Sequence, residues 1–173
     1  MTALQLGAST LRLAPKCLIL VVAASTLAIS RMAPAAEEAV EVETELVAEV
    51  RESADLGGER ESYRFVPATT LAQGQVIYYT LRIRNPEPIF AARVAVTQRI
   101  PVNTAYVAGS AAGPGAEIFF SIDGGQTFAP AARLIDVKAQ PLPPERYTHI
   151  RWQLRNPLAP GAVALARFRA VFK

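Results

Sequence analysis

Several stretches of this chain alternate apolar and polar residues so regularly that they leave little choice of fold. In Gln75–Arg84 (QVIYYTLRIR), Ile77, Tyr79, Leu81 and Ile83 share one face, and Tyr78, Thr80, Arg82 and Arg84 share the other. Thr148–Arg155 repeats the pattern, with Thr148, Ile150, Trp152 and Leu154 opposed to His149, Arg151, Gln153 and Arg155. A period of two is the mark of a strand with one buried face. Residues 41–50 (EVETELVAEV) also alternate, placing Val42, Thr44, Leu46, Ala48 and Val50 against Glu41, Glu43, Glu45 and Glu49. Ala91–Ile100 is read the same way, with Ala92, Val94 and Val96 inward and Arg93, Thr97 and Arg99 outward.

Breakers separate these runs. Asn85-Pro86-Glu87-Pro88, Pro101-Val102-Asn103 and Asn156-Pro157-Leu158-Ala159-Pro160-Gly161 each end a strand, since proline cannot donate to a sheet ladder. Thr104–Val107, Glu117–Ser121, Leu134–Val137 and Ala162–Phe172 are further short strands, the last with Phe168 and Phe172 inward and Arg167 and Arg169 outward. Asp123-Gly124 between Glu117–Ser121 and Thr127–Phe128 signals a hairpin. Residues 51–61, polar and carrying Gly57-Gly58, read as a loop. Seven or eight short strands with frequent turns predict an all-β sandwich, with Trp152 as a core anchor.

The N-terminus reads differently. Arg12 and Lys16 precede the apolar run Cys17–Ile29, and Ala33-Pro34-Ala35-Ala36 follows Arg31. A basic region, a short apolar run and an A-x-A-like site make a secretory signal, cut after Ala35 or, close behind, after Ala36. The run is shorter than the ~20 residues that span a bilayer, so no stable membrane span is expected after cleavage; an uncleaved anchor is the weaker alternative. Cys17 opens the run, the wrong place for a lipoprotein cysteine. The expected organisation is a helical signal peptide (1–35), an acidic strand and loop (36–62) and a sandwich domain (63–173).

Removing Arg12, Lys16 and Arg31 turns the formal charge of +3 into balance, 15 basic residues against 15 acidic, which argues against a nucleic-acid partner. The charge is unevenly placed. Residues 37–65 hold ten acids and three arginines, whereas residues 66–173 hold twelve basic residues and five acids. The two parts should attract each other or meet oppositely charged partners. The only cysteine leaves with the signal, so neither a disulfide framework nor a thiol nucleophile is expected.

Leu71-Ala72-Gln73-Gly74-Gln75-Val76-Ile77-Tyr78-Tyr79-Thr80, followed by Arg84-Asn85, resembles the opening of a bacterial surface-protein repeat of unknown function (the domain of unknown function eleven type). The resemblance continues through Ile100-Pro101, Tyr106–Ser110, Ser121–Phe128, His149–Trp152 and Leu158–Gly161, covering roughly residues 64–173. It implies an immunoglobulin-like sandwich on exported envelope or surface proteins and brings no activity with it. The family often occurs in tandem arrays; the single copy here makes a spacer role unexpected.

Ser121-Ile122-Asp123-Gly124-Gly125-Gln126-Thr127-Phe128 also resembles the Asp-box of sialidase-type propellers. One box cannot build a propeller of four-stranded blades, so Asp123 is expected to cap its own turn while Phe128 enters the core. His149, the sole histidine, lies on an outer face with no nucleophile elbow in the sequence. One histidine and no mature cysteine leave no typical zinc set, and there is no calcium loop. Glu87, Glu117, Asp123, Asp136 and Glu145 all lie at or near turns rather than as a converging pair. No catalytic, cofactor-binding or metal residues are therefore assigned.

The most suggestive group is the outward arginines: Arg82, Arg84, Arg93, Arg99, Arg151, Arg155, Arg167 and Arg169. They form either a basic face for an anionic glycan, lipid headgroup or acidic partner, or a solvated face paired with Glu41, Glu43, Glu45 and Glu49. The expected function is that of a non-enzymatic exported module, periplasmic or at the cell surface, engaging an envelope protein through a sheet edge or the arginine face. The alternative is a carbohydrate-binding module with Tyr78, Tyr106 or Tyr147 as a stacking platform.

Overall fold

The computed structural model describes residues 41–54 and 62–173. The expected signal segment 1–35, its helix and its cleavage points lie outside these residues, as does the Gly57-Gly58 loop. The described part is built of eight strands: β1 Glu43–Ala54, β2 Ser62–Pro67, β3 Val76–Arg84, β4 Ala95–Arg99, β5 Thr104–Tyr106, β6 Ala116–Ser121, β7 His149–Leu154 and β8 Val163–Phe172. Two single 3-10 turns, Ala131–Arg133 and Pro144–Arg146, lie between β6 and β7.

All pairings between strands are antiparallel and form two sheets, one ordered β2-β1-β3-β8-β5 and one ordered β4-β7-β6. This is an all-β sandwich. Its inner faces are those the alternation predicts. Ile77, Tyr79, Leu81 and Ile83 of β3 are buried, as are Ala166, Phe168 and Ala170 of β8. Trp152 is fully buried on β7 and joins the sheets, its ring centroid 6.1 Å from that of Phe168. Its indole N–H donates to the carbonyl of Ala112 at 3.1 Å, so this large side chain enters the core without losing a hydrogen bond.

Four local features differ from the sequence reading. Residues 62–67 form the edge strand β2, which was not expected; its two aromatics, Tyr63 and Phe65, point to solvent, so the segment carries no apolar inner stripe. The alternation of 91–100 slips at Arg93, whose φ of 53° puts it in the left-handed region. Ala91 is therefore buried and Ala92 exposed, while Val94 and Val96 keep their inward places. Leu134–Val137 is not a strand: the Asp136 carboxylate accepts the backbone N–H groups of Lys138 and Gln140 and turns the chain there. On β1, Thr44 and Leu46 occupy the inner face but stay exposed, although their β3 partners Ile83 and Leu81 are buried. Farther along β1, Glu52 pairs with Arg64 of β2 at 3.2 Å, both side chains in solvent.

The acidic segment and the basic body do meet. β1 sits inside the sheet, with Glu43 opposite Arg84 and Glu45 opposite Arg82. Their ion-pair distances are 3.4 and 3.6 Å.

Candidate binding face

The structure divides the eight arginines rather than gathering them. Arg82, Arg84, Arg167 and Arg169 lie on the outer face of the five-stranded sheet. Arg99 and Arg151 belong to the three-stranded sheet, Arg155 follows β7, and Arg93 precedes β4. A single basic face is thus corrected to two separate sets, because β3 and β8 pair with each other while β7 pairs only with β4 and β6.

Beside the smaller sheet, Arg151 and Arg155 are occupied by their neighbours, whereas Arg99 has no carboxylate partner among the described residues. The Arg151 guanidinium lies 3.7 Å from the centre of the Phe128 ring, and its Nε donates to the Thr97 hydroxyl at 2.9 Å. Phe128 therefore serves as a half-buried base for a cation and does not enter the core. Arg155 pairs with Glu117 at 3.4 Å.

The turn beside them has the expected cap. The Asp123 carboxylate accepts from the hydroxyls of Thr127 and Ser121 and from the backbone N–H groups of Gln126 and Thr127. These bonds, the Thr127 hydroxyl first, hold its pKa well below the ordinary carboxylate range. Ser121 and His149 are register partners, yet the Ser121 hydroxyl donates to Asp123 at 2.7 Å and His149 Nδ1 meets the Thr148 hydroxyl at 3.1 Å. No hydrogen bond joins Ser121 to His149 among the described residues; Ser121 and Asp123 brace the turn, and His149 stands outside that network. Nor do any three His, Cys, Asp or Glu side chains among the described residues cluster as metal ligands. No helix among them is long and apolar enough to cross a membrane.

The outer face of the five-stranded sheet is a grid whose rows follow from the register. One row runs Glu43, Arg84, Val163; the next Glu45, Arg82, Leu165; then Val47, Thr80, Arg167; then Glu49, Tyr78, Arg169. The first two rows neutralise their own arginines. In the last two the guanidinium groups of Arg167 and Arg169 have no carboxylate partner among the described residues, and neither does the carboxylate of the half-buried Glu49 have a cation or donor there. Glu49, Phe65, Tyr78, Thr80, Arg167 and Arg169 line an open groove of about 370 Å³. Phe65 stands edge-on to Tyr78, centroids 5.0 Å apart at 77°.

Beyond Phe65 along β2, the Arg51 guanidinium lies 4.0 Å above the centre of the exposed Tyr63 ring. These two aromatics escaped the sequence reading because β2 did; the alternation of Tyr63 and Phe65 about Arg64 was the available signal. Tyr106 and Tyr147 are not part of a platform. They stack on each other inside the core, 5.8 Å between centroids, and burial pushes the Tyr147 phenol up.

The edge of β8 is also open at one end. Beyond Arg167, which exchanges backbone hydrogen bonds with Ala112, the neighbouring segment diverges at Gly113-Pro114. The backbone groups of Val163 and Leu165 point to that side without a partner among the described residues, and both side chains are exposed. Compared with known protein families, with curated proteins and with solved structures, this chain finds no match in any of the three.

Proposed function

We propose that this chain is a non-enzymatic, exported module of the bacterial cell envelope, structural or protein-binding in role, which holds a partner against the outer face of its five-stranded sheet. The observation that carries this reading is the contrast within that face: two arginines are neutralised by their own sheet, while Arg167 and Arg169 stand beside aromatic side chains without a carboxylate. Cations that their own fold leaves unanswered, set beside aromatic rings, are available to steer and orient a partner of complementary charge. The open edge at Val163 and Leu165 supports a protein partner, since an exposed edge accepts an added strand.

Export rests on the basic, apolar and small-residue order of 1–35, and places the module in the periplasm or at the cell surface. The immunoglobulin-like reading and the likeness to the surface-protein repeat agree with a two-sheet architecture. Here the strands divide five and three, where a constant-type immunoglobulin domain divides four and three, so the likeness is of architecture and not of strand order. The test is cross-linking of the tagged full-length chain in intact cells, followed by mass spectrometry. Recurrent capture of one envelope protein, lost on Arg167→Ala/Arg169→Ala, is the expected result. A full-length chain found in the cytosol would remove the envelope assignment, and capture insensitive to these arginines would remove the face.

A second reading, a carbohydrate-binding module, is favoured by one observation: Tyr63, Phe65 and Tyr78 share one outer face, which is how sheet-based sugar platforms present their rings.

A further inference from the structure

We infer that the groove over Tyr78 is a site for a carboxylated pyranose, one unit of a glycan built of uronic-acid-type sugars. The inference rests on the carbohydrate reading of this face and adds the chemical class of the ligand.

The row Glu49, Tyr78, Arg169 sets the chemistry of the groove. These residues sit on three adjacent strands, so Glu49 and Arg169 flank the tyrosine across two strand spacings, about 10 Å. One side offers the cations Arg169 and Arg167. The other offers the carboxylate of the half-buried Glu49, which has no donor among the described residues. A ligand for this groove must therefore carry negative charge at one edge and hydrogen-bond donors at the opposite edge.

An acidic peptide meets only half of that demand, because Glu49 repels its carboxylates and finds few hydroxyls to accept from. A neutral sugar meets the other half and leaves both guanidinium groups unused. A pyranose bearing one carboxylate meets both: its acid faces the arginine fork, which suits carboxylates in two-point contact, and its ring hydroxyls face Glu49 and Thr80. The apolar face of the ring falls on Tyr78, which Phe65 steadies edge-on. The groove volume of about 370 Å³ lies in the lower part of the range for small-molecule sites, suited to a short saccharide stretch.

The test is titration of the full-length chain, by calorimetry and by NMR shift mapping, with trigalacturonate, its methyl ester and hexaglutamate. Trigalacturonate should saturate the site and shift the amides of Tyr78, Thr80, Arg167 and Arg169. The methyl ester, which keeps the rings and loses the charge, should bind at least about tenfold more weakly, as should the Arg167→Ala/Arg169→Ala variant. Glu49→Gln should weaken trigalacturonate binding, because a hydroxyl acceptor loses its charge. If Glu49 merely opposed an anionic ligand, that substitution would strengthen binding instead, and the inference would fall. Hexaglutamate binding as well as trigalacturonate would overturn it as a sugar site, and equal binding of the ester would overturn the carboxylate requirement. Absence of any saccharide binding would remove the inference while leaving the envelope-partner reading to the cross-linking experiment, which reads a different outcome.

Discussion

The two outer faces of this sandwich hold the same residue type in different surroundings. Over the three-stranded sheet, Arg151 is stacked on Phe128 and bonded to Thr97, and Arg155 is paired with Glu117. Over the five-stranded sheet, Arg82 and Arg84 are answered by Glu45 and Glu43, but Arg167 and Arg169 have no carboxylate partner among the described residues. Within the larger sheet, the difference lies in what each register places opposite a guanidinium. Across β1 and β3 arginine faces glutamate; across β3 and β8 it faces threonine and tyrosine. Charge alone thus says little about a surface. Whether its own fold satisfies that charge says much more.

Both faces depend on one core, so the largest effect should come from removing the residue that joins them. Trp152→Ala takes out the side chain packed between the sheets and removes one of the two donors to the Ala112 carbonyl, the Arg167 N–H being the other. A loss of about 3–5 kcal/mol is expected in urea denaturation, and a loss below about 1 kcal/mol would mean that the two sheets are held by something else.

Acid should act on the three-stranded side. The Asp123 pKa is depressed in the folded chain, so its contribution is present above the unfolded value of 3.8 and is lost as the pH falls below it. Wild type should exceed Asp123→Asn in stability near neutral pH, with the gap closing as the pH drops through about 4 toward 2. A gap that stays constant over that window would show that the carboxylate charge contributes nothing to the turn.

Charge reversal separates the two halves of the larger face. Arg82→Glu/Arg84→Glu sets like charges opposite Glu45 and Glu43 and should cost about 1 kcal/mol in all, since these pairs are solvent-exposed. Arg167→Glu/Arg169→Glu breaks no ion pair and should change stability by less than about 0.5 kcal/mol. Equal losses in thermal unfolding would erase the distinction between them. The smallest effect is that of salt: in 1 M NaCl the cost of the first reversal should shrink, while the second remains near zero.

Much of the architecture was legible locally. The inward residues of β3, β7 and β8 are those that a period of two selects, because side chains on a strand must alternate whatever the strand pairs with. Proline and asparagine marked the ends. Asn85 shows why: buried, it donates to the carbonyls of Ile89 and Leu158 at 2.7 and 2.9 Å and accepts the N–H of Glu87 at 3.1 Å, tying two loops at one end of the sandwich. β2 was not legible, since an edge strand whose aromatics face solvent lacks the apolar inner stripe that the pattern detects. The slip at Arg93 was hidden because a single left-handed residue shifts the phase of its neighbours without leaving a breaker in the sequence.

The candidate face was legible only in part. Tyr78, Arg167 and Arg169 could be assigned outward from their own strands, and Glu49 likewise. That they line one groove depends on β3 lying between β1 and β8, contacts separated by many residues in the chain. The same holds for Tyr106 and Tyr147, which local sequence offered as a platform and the fold placed in the core. By itself, then, the sequence determined which side of its strand most residues would face, because backbone geometry within a few residues dictates it. Which strands became neighbours, and hence which charges were paired and which were left without a carboxylate, was decided only by tertiary pairing, since register is set where distant segments compete to bury the same core.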